Sequence, residues 1–406
     1  MAGMTLAAHL AAGLNLFALS PLLPLAIEDY GISHWQAGQL VSLPMLVGAA
    51  IGIPGGKLIA RVGVKRAYMW AWVCMALLAL APLAPNFYVL LILRLAYGVG
   101  LAFMVVATGP LVMQWFRPRE MLVINSLNTA ILSAGISVSL AGAVPLSELL
   151  GWKMTLTVFS AVGIVGTVLW PMAPKDRDMG EERRAGISVR EVIAVLRTRA
   201  VALLVAADAG IFIQYTALTT WLPAFYEEAR GISLQQAGFI TSILPFVGIF
   251  AVLAGGAVPL MFETFRSRLA VFGGVGDFLF SYRGVLVFSG ILAILGGLGA
   301  FLVSTQWGIY IAVVVLGVGS WFYVPALLTI PMRLSGATPE RVAAVWGSYM
   351  TFSGLGMFIF PILVGWLYDN FNSYYPGFII CAVASWSLLI CGLFIPKDAG
   401  SQSTES

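Results

Sequence analysis

The chain alternates between long apolar stretches and short polar connections. Twelve of the stretches hold the roughly 20 mostly apolar residues that a helix needs to cross a bilayer. Their centres lie near residues 14, 48, 76, 102, 134, 163, 213, 246, 294, 320, 354 and 385. Backbone N–H and C=O groups find no water inside lipid, so stretches of this length pair those groups within a helix. The pattern predicts an all-α membrane protein with twelve transmembrane helices.

Basic residues gather in every second connection, as Arg61, Lys65, Arg66, Arg117 and Arg119 illustrate. Of the 22 Lys and Arg residues, three lie outside the even-numbered connections, the helix ends beside them and the C-terminal tail, namely Arg94, Lys153 and Arg230. Cytoplasmic loops are the ones that collect Lys and Arg. We therefore expect a multi-pass integral membrane protein with both termini in the cytoplasm.

Residues 31–56 and 231–256 are near-copies of each other. Eleven of the 26 positions are identical without a gap, at an offset of 200. A membrane protein built from two related halves binds its substrate near mid-bilayer, where the halves meet. We expect two pseudo-symmetric six-helix halves with these boundaries: an N-terminal half 1–174, a cytoplasmic linker 175–200, a C-terminal half 201–396 and a cytoplasmic tail 397–406.

Two connections depart from the short polar pattern. Within the linker, Val189–Leu196 could form an amphipathic helix on the membrane surface, or the whole linker could be a solvated tether. The connection 261–283 is much longer than its counterpart after the second stretch, because the repeat offset is 200 before it and 219 after it. It could be an interfacial segment or a cytoplasmic gate, and the sequence leaves its role open.

The composition excludes several classes of protein. Charged residues make up 10% of the 406 positions, against about 25% in soluble domains, so the lipid bilayer is an expected partner. A net charge of +4 gives no sign of nucleic-acid binding. Three cysteines without a CxxC pair indicate neither a disulfide framework nor a metal site. With two histidines, His9 and His34, a catalytic or metal cluster is hard to build, so we expect no enzyme and no cofactor. The absence of a phosphate-binding loop argues against transport driven by ATP.

The run of residues 56–66, GKLIARVGVKR, follows the second stretch. Together with the twelve stretches in two halves and the central linker, it resembles the cytoplasmic gate motif of the major facilitator superfamily. In that family the glycines permit close helix approach and the basic residues latch neighbouring helices. The resemblance assigns this motif to Gly56, Arg61, Gly63, Lys65 and Arg66. Ala60 stands where the family has an aspartate.

Two further motifs carry the same resemblance. Residues 94–100, RLAYGVG, are similar to the family's arginine-and-glycine motif, which is associated with proton coupling. Residues 221–223, WLP, followed by 231–238, are similar to the small-solute and organic-anion porters of the superfamily. The fifth stretch lacks the glycine–proline pair of the family's drug antiporters. The resemblance covers nearly the whole chain and implies a monomeric secondary transporter that works by alternating access.

Arg94 and Asp208 are the two charged residues that stand out inside the predicted helices. A charge at mid-bilayer costs about 3 kcal/mol or more, so it is normally functional or paired. Arg94 could attract an anionic solute, or it could tie helix carbonyls together. Asp208 could take up a proton, since burial favours the neutral carboxyl group, or it could bond a neighbouring helix at a cytoplasmic gate.

The repeat suggests a partner for Asp208. The offset of 200 places Asp208 opposite Ala8, so His9 and Asp208 lie at nearly the same depth on repeat-related helices. Histidine titrates near neutral pH, which makes a His9–Asp208 proton site or gate one hypothesis; an interfacial histidine is the alternative. Arg94 and Asp208 differ in depth by roughly 16 Å at about 1.5 Å per residue, so we expect no salt bridge between them.

Neutral polar residues complete the candidate set. Binding cavities are mostly apolar with a few polar groups, although polar side chains in membrane helices also bond neighbouring helices. The candidates are Asn15, Asn125, Asn128, Gln214, Tyr215, Trp321, Tyr323, Trp346 and Tyr349.

The sequence therefore predicts a secondary transporter in a bacterial cytoplasmic (inner) membrane. Its expected partner is a small organic solute, such as a monocarboxylate or another organic anion attracted by Arg94, with protons coupled through Asp208 and His9. A drug or metabolite efflux proton antiporter and a uniporter of a neutral solute are alternatives within transport. A sensor or scaffold is the alternative outside it. The direction of transport is not decided by the sequence.

Overall fold

The computed structural model describes residues 1–52, 54–174, 189–269, 278, 281–334 and 338–395. Regular structure within these residues is helical throughout. In the first part of the chain the α-helices are α1 Ala2–Leu16, α2 Leu23–Tyr30, α3 His34–Gly52, α4 Gly55–Val62, α5 Val64–Ala76, α6 Phe87–Trp115, α7 Pro118–Leu150 and α8 Trp152–Leu169. Short 3-10 helices cover Ser20–Leu22, Leu77–Leu83 and Trp170–Met172.

The second part of the chain has a corresponding series of α-helices. They are α9 Val189–Leu196, α10 Arg199–Glu228, α11 Leu234–Leu269, α12 Tyr282–Leu302, α13 Gln306–Trp321, α14 Val324–Arg333, α15 Pro339–Phe371, α16 Tyr375–Ala384 and α17 Trp386–Phe394. Helix α9 is the stretch for which the sequence allows an amphipathic helix, and it packs against α15. Residues 175–188 of the linker, residues 270–277, 279 and 280 of the connection 261–283, and the tail 397–406 lie outside the described residues.

Eleven helical segments of the described residues are long and apolar enough to cross a membrane, and each coincides with one predicted stretch. They are Ala2–Tyr30, Val64–Leu83, Phe87–Trp115, Val123–Leu150, Trp152–Met172, Arg199–Glu228, Leu234–Val258, Tyr282–Leu302, Gln306–Arg333, Ala344–Phe371 and Tyr375–Phe394. Hence the described residues bear out eleven of the twelve predicted helices.

The remaining predicted stretch, centred near residue 48, consists of α3 and α4, which lie on either side of residue 53. Gly52, Pro54 and Gly55 surround this junction, and glycine and proline are the poorest helix formers. The repeat-related helix α11 continues through the equivalent positions without a break. The difference between the two copies thus follows from where proline stands in the first one.

Repeat-related glycines end two of the helices. Gly31 follows α2 with φ 60°, and Gly231 lies three residues after α10 with φ 65°. Only glycine adopts this left-handed conformation without steric cost, and a glycine there terminates a helix by capping its last carbonyls. The chain therefore turns in the same way before α3 and before α11.

Among the described residues, two pairs of long helices pack across the two parts of the chain, and the 3-10 helix Ser20–Leu22 also contacts α10 and α11. Helix α3 packs against α15, and α7 packs against α11. The offset of 200 relates α3 to α11, and an offset of 219 to 221 relates α7 to α15. The two contacts are thus exchanged by the repeat.

Candidate functional site

A cavity of about 480 Å³ lies where α1, α3, α6 and α7 meet α10, α13, α14 and α15. Its volume is within the roughly 300–1,000 Å³ of small-molecule sites. The lining is almost entirely apolar. Of the described residues that line it, Asp208 is the only one among the acidic and basic residue types.

The carboxylate of Asp208 is held by two hydroxyl groups from other helices. Tyr323, directly before α14, donates its hydroxyl to Oδ1 at 3.1 Å, and Ser353 on α15 donates its hydroxyl to Oδ2. Asp208 itself is 6% exposed. Three helices therefore converge on one buried carboxylate at the edge of the cavity, where both of its oxygens are hydrogen-bonded.

Aromatic side chains form a connected wall of the cavity. Tyr215 lies edge-on to Phe17, with ring centroids 6.3 Å apart, and edge-on to Trp321 at 5.5 Å. Phe212 also meets Trp321 edge-on, at 5.9 Å. Phe17 directly follows α1, whereas the other three rings belong to α10 and α13, so this wall joins the two parts of the chain.

Arg94 does not line the cavity. It is completely buried, and its guanidinium donates to four backbone carbonyls: Leu40 at 2.5 Å, Asn15 at 2.7 Å, Leu16 at 3.1 Å and Val41 at 3.3 Å. Leu40 is four residues before Pro44, which has no N–H to bond that carbonyl, and Asn15 and Leu16 are at the end of α1. Arg94 thus satisfies carbonyls that the helices themselves leave open.

The N-terminus of α3 is capped by a carboxylate from α15. The amide of His34 donates to Oδ1 of Asp369 at 3.0 Å, and the amide of Trp35 donates to Oδ2 at 3.0 Å. The ring Nδ1 of His34 lies 3.0 Å from the same Oδ1. The first amides of a helix have no partner within it and favour negative charge, so Asp369 ties the two parts of the chain together here.

Further side chains surround this contact, and we call the set His34, Asp369, Glu228, Tyr368 and Tyr374 the His34 cluster. Nε2 of His34 lies 3.8 Å from Oε1 of Glu228. Tyr374 donates its hydroxyl to Oε2 of Glu228 at 3.0 Å. Burial, together with the charge of Glu228, raises the pKa of Tyr374, so the phenol stays protonated and remains a donor.

The His34 cluster and the cavity lie at different depths. On α3 the cavity lining begins at Pro44, ten residues after His34, and on α10 it ends at Thr216, twelve residues before Glu228. At about 1.5 Å per residue these separations are roughly 15–18 Å. The cluster therefore lies between the cavity and this end of the bundle.

A profile of the Major Facilitator Superfamily matches residues 5–337, which is more than half of the chain. The chain belongs to the Major Facilitator Superfamily. It is a multi-pass membrane protein and a secondary transporter of small solutes, not an enzyme.

Relatives within the superfamily include transporters named for sugar acids. The chain is 26% identical over 379 residues to a hexuronate transporter of Bacillus subtilis, covering 89% of this chain and 86% of the relative. It is 22% identical over 396 residues to a probable L-galactonate transporter of Escherichia coli, covering 91% and 83%. A probable galactarate/D-glucarate transporter of Escherichia coli is 24% identical over 390 residues, covering 85% and 82%.

The structure brings some of the predicted site residues to the cavity. Asp208, Tyr215, Trp321, Trp346 and Tyr349 line it. Tyr323 lies behind them as a hydrogen-bond donor to Asp208.

The other predicted residues lie away from the cavity lining. Asn15 bonds to Ala11, Phe159 and Ser160 within the packed first part of the chain. His9 places its ring Nδ1 2.8 Å from the carbonyl of Thr5 in its own helix. Asn128 and Gln214 are buried, and Asn125 is exposed.

The residues of the superfamily's gate motif lie around the junction of α4 and α5. Lys65 donates to the carbonyls of Pro171 and Ala173, and Trp170 donates back to the carbonyl of Lys65 at 2.8 Å. Gly63, with φ 90°, makes the turn between the two helices. Arg61 and Arg66 are exposed on either side of it, and Gly56 lies within α4. The lysine contacts thus join α5 to the end of α8.

Several residues of the cavity were not predicted from the sequence. Phe212 and Thr216 lie four and eight residues after Asp208, and Ser353 lies four after Tyr349. Residues at these spacings share a helix face. Listing the residues that share a helix face with Asp208 and with Tyr349 would have identified Phe212, Thr216 and Ser353.

Proposed function

We propose that this transporter moves a small organic solute by alternating access, with the solute in the cavity and a proton on Asp208. The position of Asp208 carries this proposal, because it is the only acidic or basic residue among the described lining residues. Its protonation changes the charge of the cavity. Binding of a proton and binding of a solute are then linked, and each alters the affinity for the other.

The proposed architecture has two six-helix halves, 1–174 and 201–396, joined by the linker 175–200 and followed by the tail 397–406. The exchanged contacts of α3 with α15 and of α7 with α11 support this arrangement. Twelve spans result if α3 and α4 cross the bilayer together.

The proposed orientation has both termini in the cytoplasm, so that the His34 cluster faces the opposite side. The basic residues of the even-numbered connections support this orientation. Bacterial relatives support a place in the bacterial inner membrane. The superfamily resemblance supports a monomer.

An organic anion is one candidate solute, because relatives are named for hexuronate and L-galactonate. A protonated Asp208 can donate a hydrogen bond to a carboxylate, whereas an ionised one would repel it. In this scheme the anion and the proton travel together in the same direction.

Proteoliposomes that contain a pH-sensitive dye test the proposal. A panel of galacturonate, L-galactonate, benzoate, a neutral sugar and tetraphenylphosphonium is added to wild type, Asp208→Asn and Glu148→Gln. Glu148 is exposed at the end of α7 and serves as the matched carboxylate control. Solute-driven proton movement in wild type and in the control, but not in Asp208→Asn, supports the proposal.

Two results would count against it. Labelled solute that equilibrates without proton movement in wild type means a uniporter. Proton movement that persists unchanged in Asp208→Asn removes Asp208 as the coupling site.

A further inference from the structure

The charges around the cavity disfavour an anionic solute. An anion held here would meet a carboxylate at Asp208, and the described lining offers it no Lys, Arg or His. The buried Arg94 is bonded to four carbonyls and lies outside the lining. Burying an ion without an opposite charge is costly, so a fixed negative charge in the solute is disfavoured.

The hydrogen-bonding groups of the cavity are also few. Besides Asp208, the hydrogen-bonding side chains of the described lining are Tyr215, Thr216, Tyr349, Ser353 and the indole N–H groups of Trp321 and Trp346. Ser353 is already engaged with Asp208, and the Tyr349 hydroxyl lies 3.4 Å from the carbonyl of Leu327. A sugar acid carries several hydroxyl groups that would each lose water on entry, and unpaired polar groups are expensive to bury.

Aromatic rings make up much of this lining. Tyr215, Trp321 and Phe212 pack edge-to-face beside Asp208, and Trp346 and Tyr349 also line the cavity. Aromatic faces attract organic cations, most strongly when water is excluded. The same rings provide apolar area for the hydrocarbon part of a solute.

Resting on the proposed function, we infer that the cavity binds a lipophilic monovalent organic cation, which exchanges with the proton on Asp208. The carboxylate holds either the proton or the cation. As the cation arrives, the O–H bond of Asp208 breaks and the proton leaves to water, so one positive charge replaces another. The cycle is then an electroneutral one-for-one antiport.

The test uses the purified full-length protein in weakly buffered detergent solution. Tetraphenylphosphonium is the cationic probe, triphenylphosphine oxide is a neutral probe with similar rings, and galacturonate is the anionic probe. Calorimetry measures affinity, and a pH indicator measures protons released or taken up. The variants are Asp208→Asn, Asp208→Glu, Trp321→Leu and the control Glu148→Gln.

Tetraphenylphosphonium is expected to bind wild type with release of up to one proton, and its affinity rises with pH because protons compete for the site. Asp208→Asn loses the proton release and at least about tenfold in affinity, while Asp208→Glu and Glu148→Gln keep the release. Trp321→Leu weakens cation binding by about tenfold or less and keeps the release. The Asp208→Glu result shows that the release needs a carboxylate at this position, and an unchanged melting temperature of Asp208→Asn shows that its loss is not a failure to fold.

Equal affinity for tetraphenylphosphonium and triphenylphosphine oxide without proton release would overturn the cation site. Galacturonate binding with proton uptake that Asp208→Asn abolishes would also overturn it, while leaving the proposed function in place. If no solute of the panel binds or drives proton movement in proteoliposomes, the proposed function fails together with this inference.

Discussion

Gly38 and Gly238 make the same contact two hundred positions apart. A Cβ atom on Gly38 would lie 2.8 Å from the carbonyl oxygen of Pro361 on α15, and one on Gly238 would lie 2.7 Å from that of Leu140 on α7. Both glycines belong to the near-identical stretches of the repeat, and the two carbonyls are 221 positions apart, as are the starts of α7 and α15. These two contacts between the parts of the chain are therefore pseudo-symmetric and depend on glycine in both copies.

Replacing either glycine by alanine should destabilise the protein and slow transport. In an open helix position, glycine to alanine usually stabilises by about 1 kcal/mol. Here the added methyl group would push α3 from α15, or α11 from α7, and such overpacking costs about 1–3 kcal/mol. Thermal melting in detergent and initial transport rates in proteoliposomes measure the two effects.

Gly3→Ala is the matched control, because nothing lies within 4 Å of a Cβ on Gly3. It should leave the melting temperature unchanged or raise it. The interpretation would be wrong if Gly38→Ala and Gly3→Ala behaved alike.

The Asp369→Ala substitution should favour opening of the bundle at the His34 cluster. It removes the partner of the His34 and Trp35 amides and of the His34 ring. Hydrogen bonds to a charged group contribute about 1.5–3 kcal/mol each, so the balance between closed and open forms should move by tenfold or more. Spin labels at Glu28 and Asn370, which are exposed at this end, report the distance across it.

Pulsed electron paramagnetic resonance on the doubly labelled protein should show a longer distance in Asp369→Ala than in the parent. Glu148→Gln with the same labels should match the parent. An unchanged distance distribution in Asp369→Ala would mean that helix packing alone keeps this end closed.

Much of the fold follows from hydropathy because each apolar stretch forms its own helix in lipid. Eleven predicted stretches are helices of the structure, and the repeat correctly relates Gly31 to Gly231 and α3 to α11. The break between α3 and α4 was not predicted. Hydropathy averages over Gly52, Pro54 and Gly55, whereas backbone conformation depends on each of them.

The candidate site was predicted less completely, because it depends on which helix faces meet. Asp208 and Tyr215 share a helix face that the sequence shows, but their partners Ser353 and Phe17 are contributed by helices far away in the chain. The sequence leaves two roles open for Arg94, as a solute ligand or as a tie between helix carbonyls, because it does not show that the carbonyl of Leu40 lies beside this side chain. Such roles depend on how the helices pack against one another, which a single sequence does not show directly.

Replacing Tyr323 by phenylalanine should impair coupling without abolishing solute binding. The change removes one of two hydroxyl donors to Asp208 and leaves Ser353 in place. A hydrogen bond to a carboxylate contributes about 1.5–3 kcal/mol, so the carboxylate should be held less firmly in place. The ratio of protons to solute moved should then fall severalfold. Tyr88→Phe is the control, because Tyr88 is 68% exposed. A proton-to-solute ratio that is the same in both variants would argue against a role for Tyr323.

Arg94→Ala should be a folding defect rather than a defect in solute recognition. Removing the guanidinium leaves the carbonyls of Leu40, Asn15 and Leu16 without that donor, and each buried unpaired group costs about 1–3 kcal/mol. We expect a loss of about 3 kcal/mol or more in stability, seen as a large fall in melting temperature and yield. Arg94→Lys should recover only part of it, because one ammonium cannot reproduce a planar fork of five N–H donors.

Arg199→Ala, at an exposed position at the start of α10, should leave stability unchanged. Solute affinity, measured on whatever fraction of Arg94→Lys folds, should stay within a few fold of wild type, since Arg94 lies outside the cavity lining. A normal melting temperature combined with lost solute binding would reverse this assignment. Arg94 would then act on the solute, and its four carbonyl contacts would have to rearrange during the transport cycle.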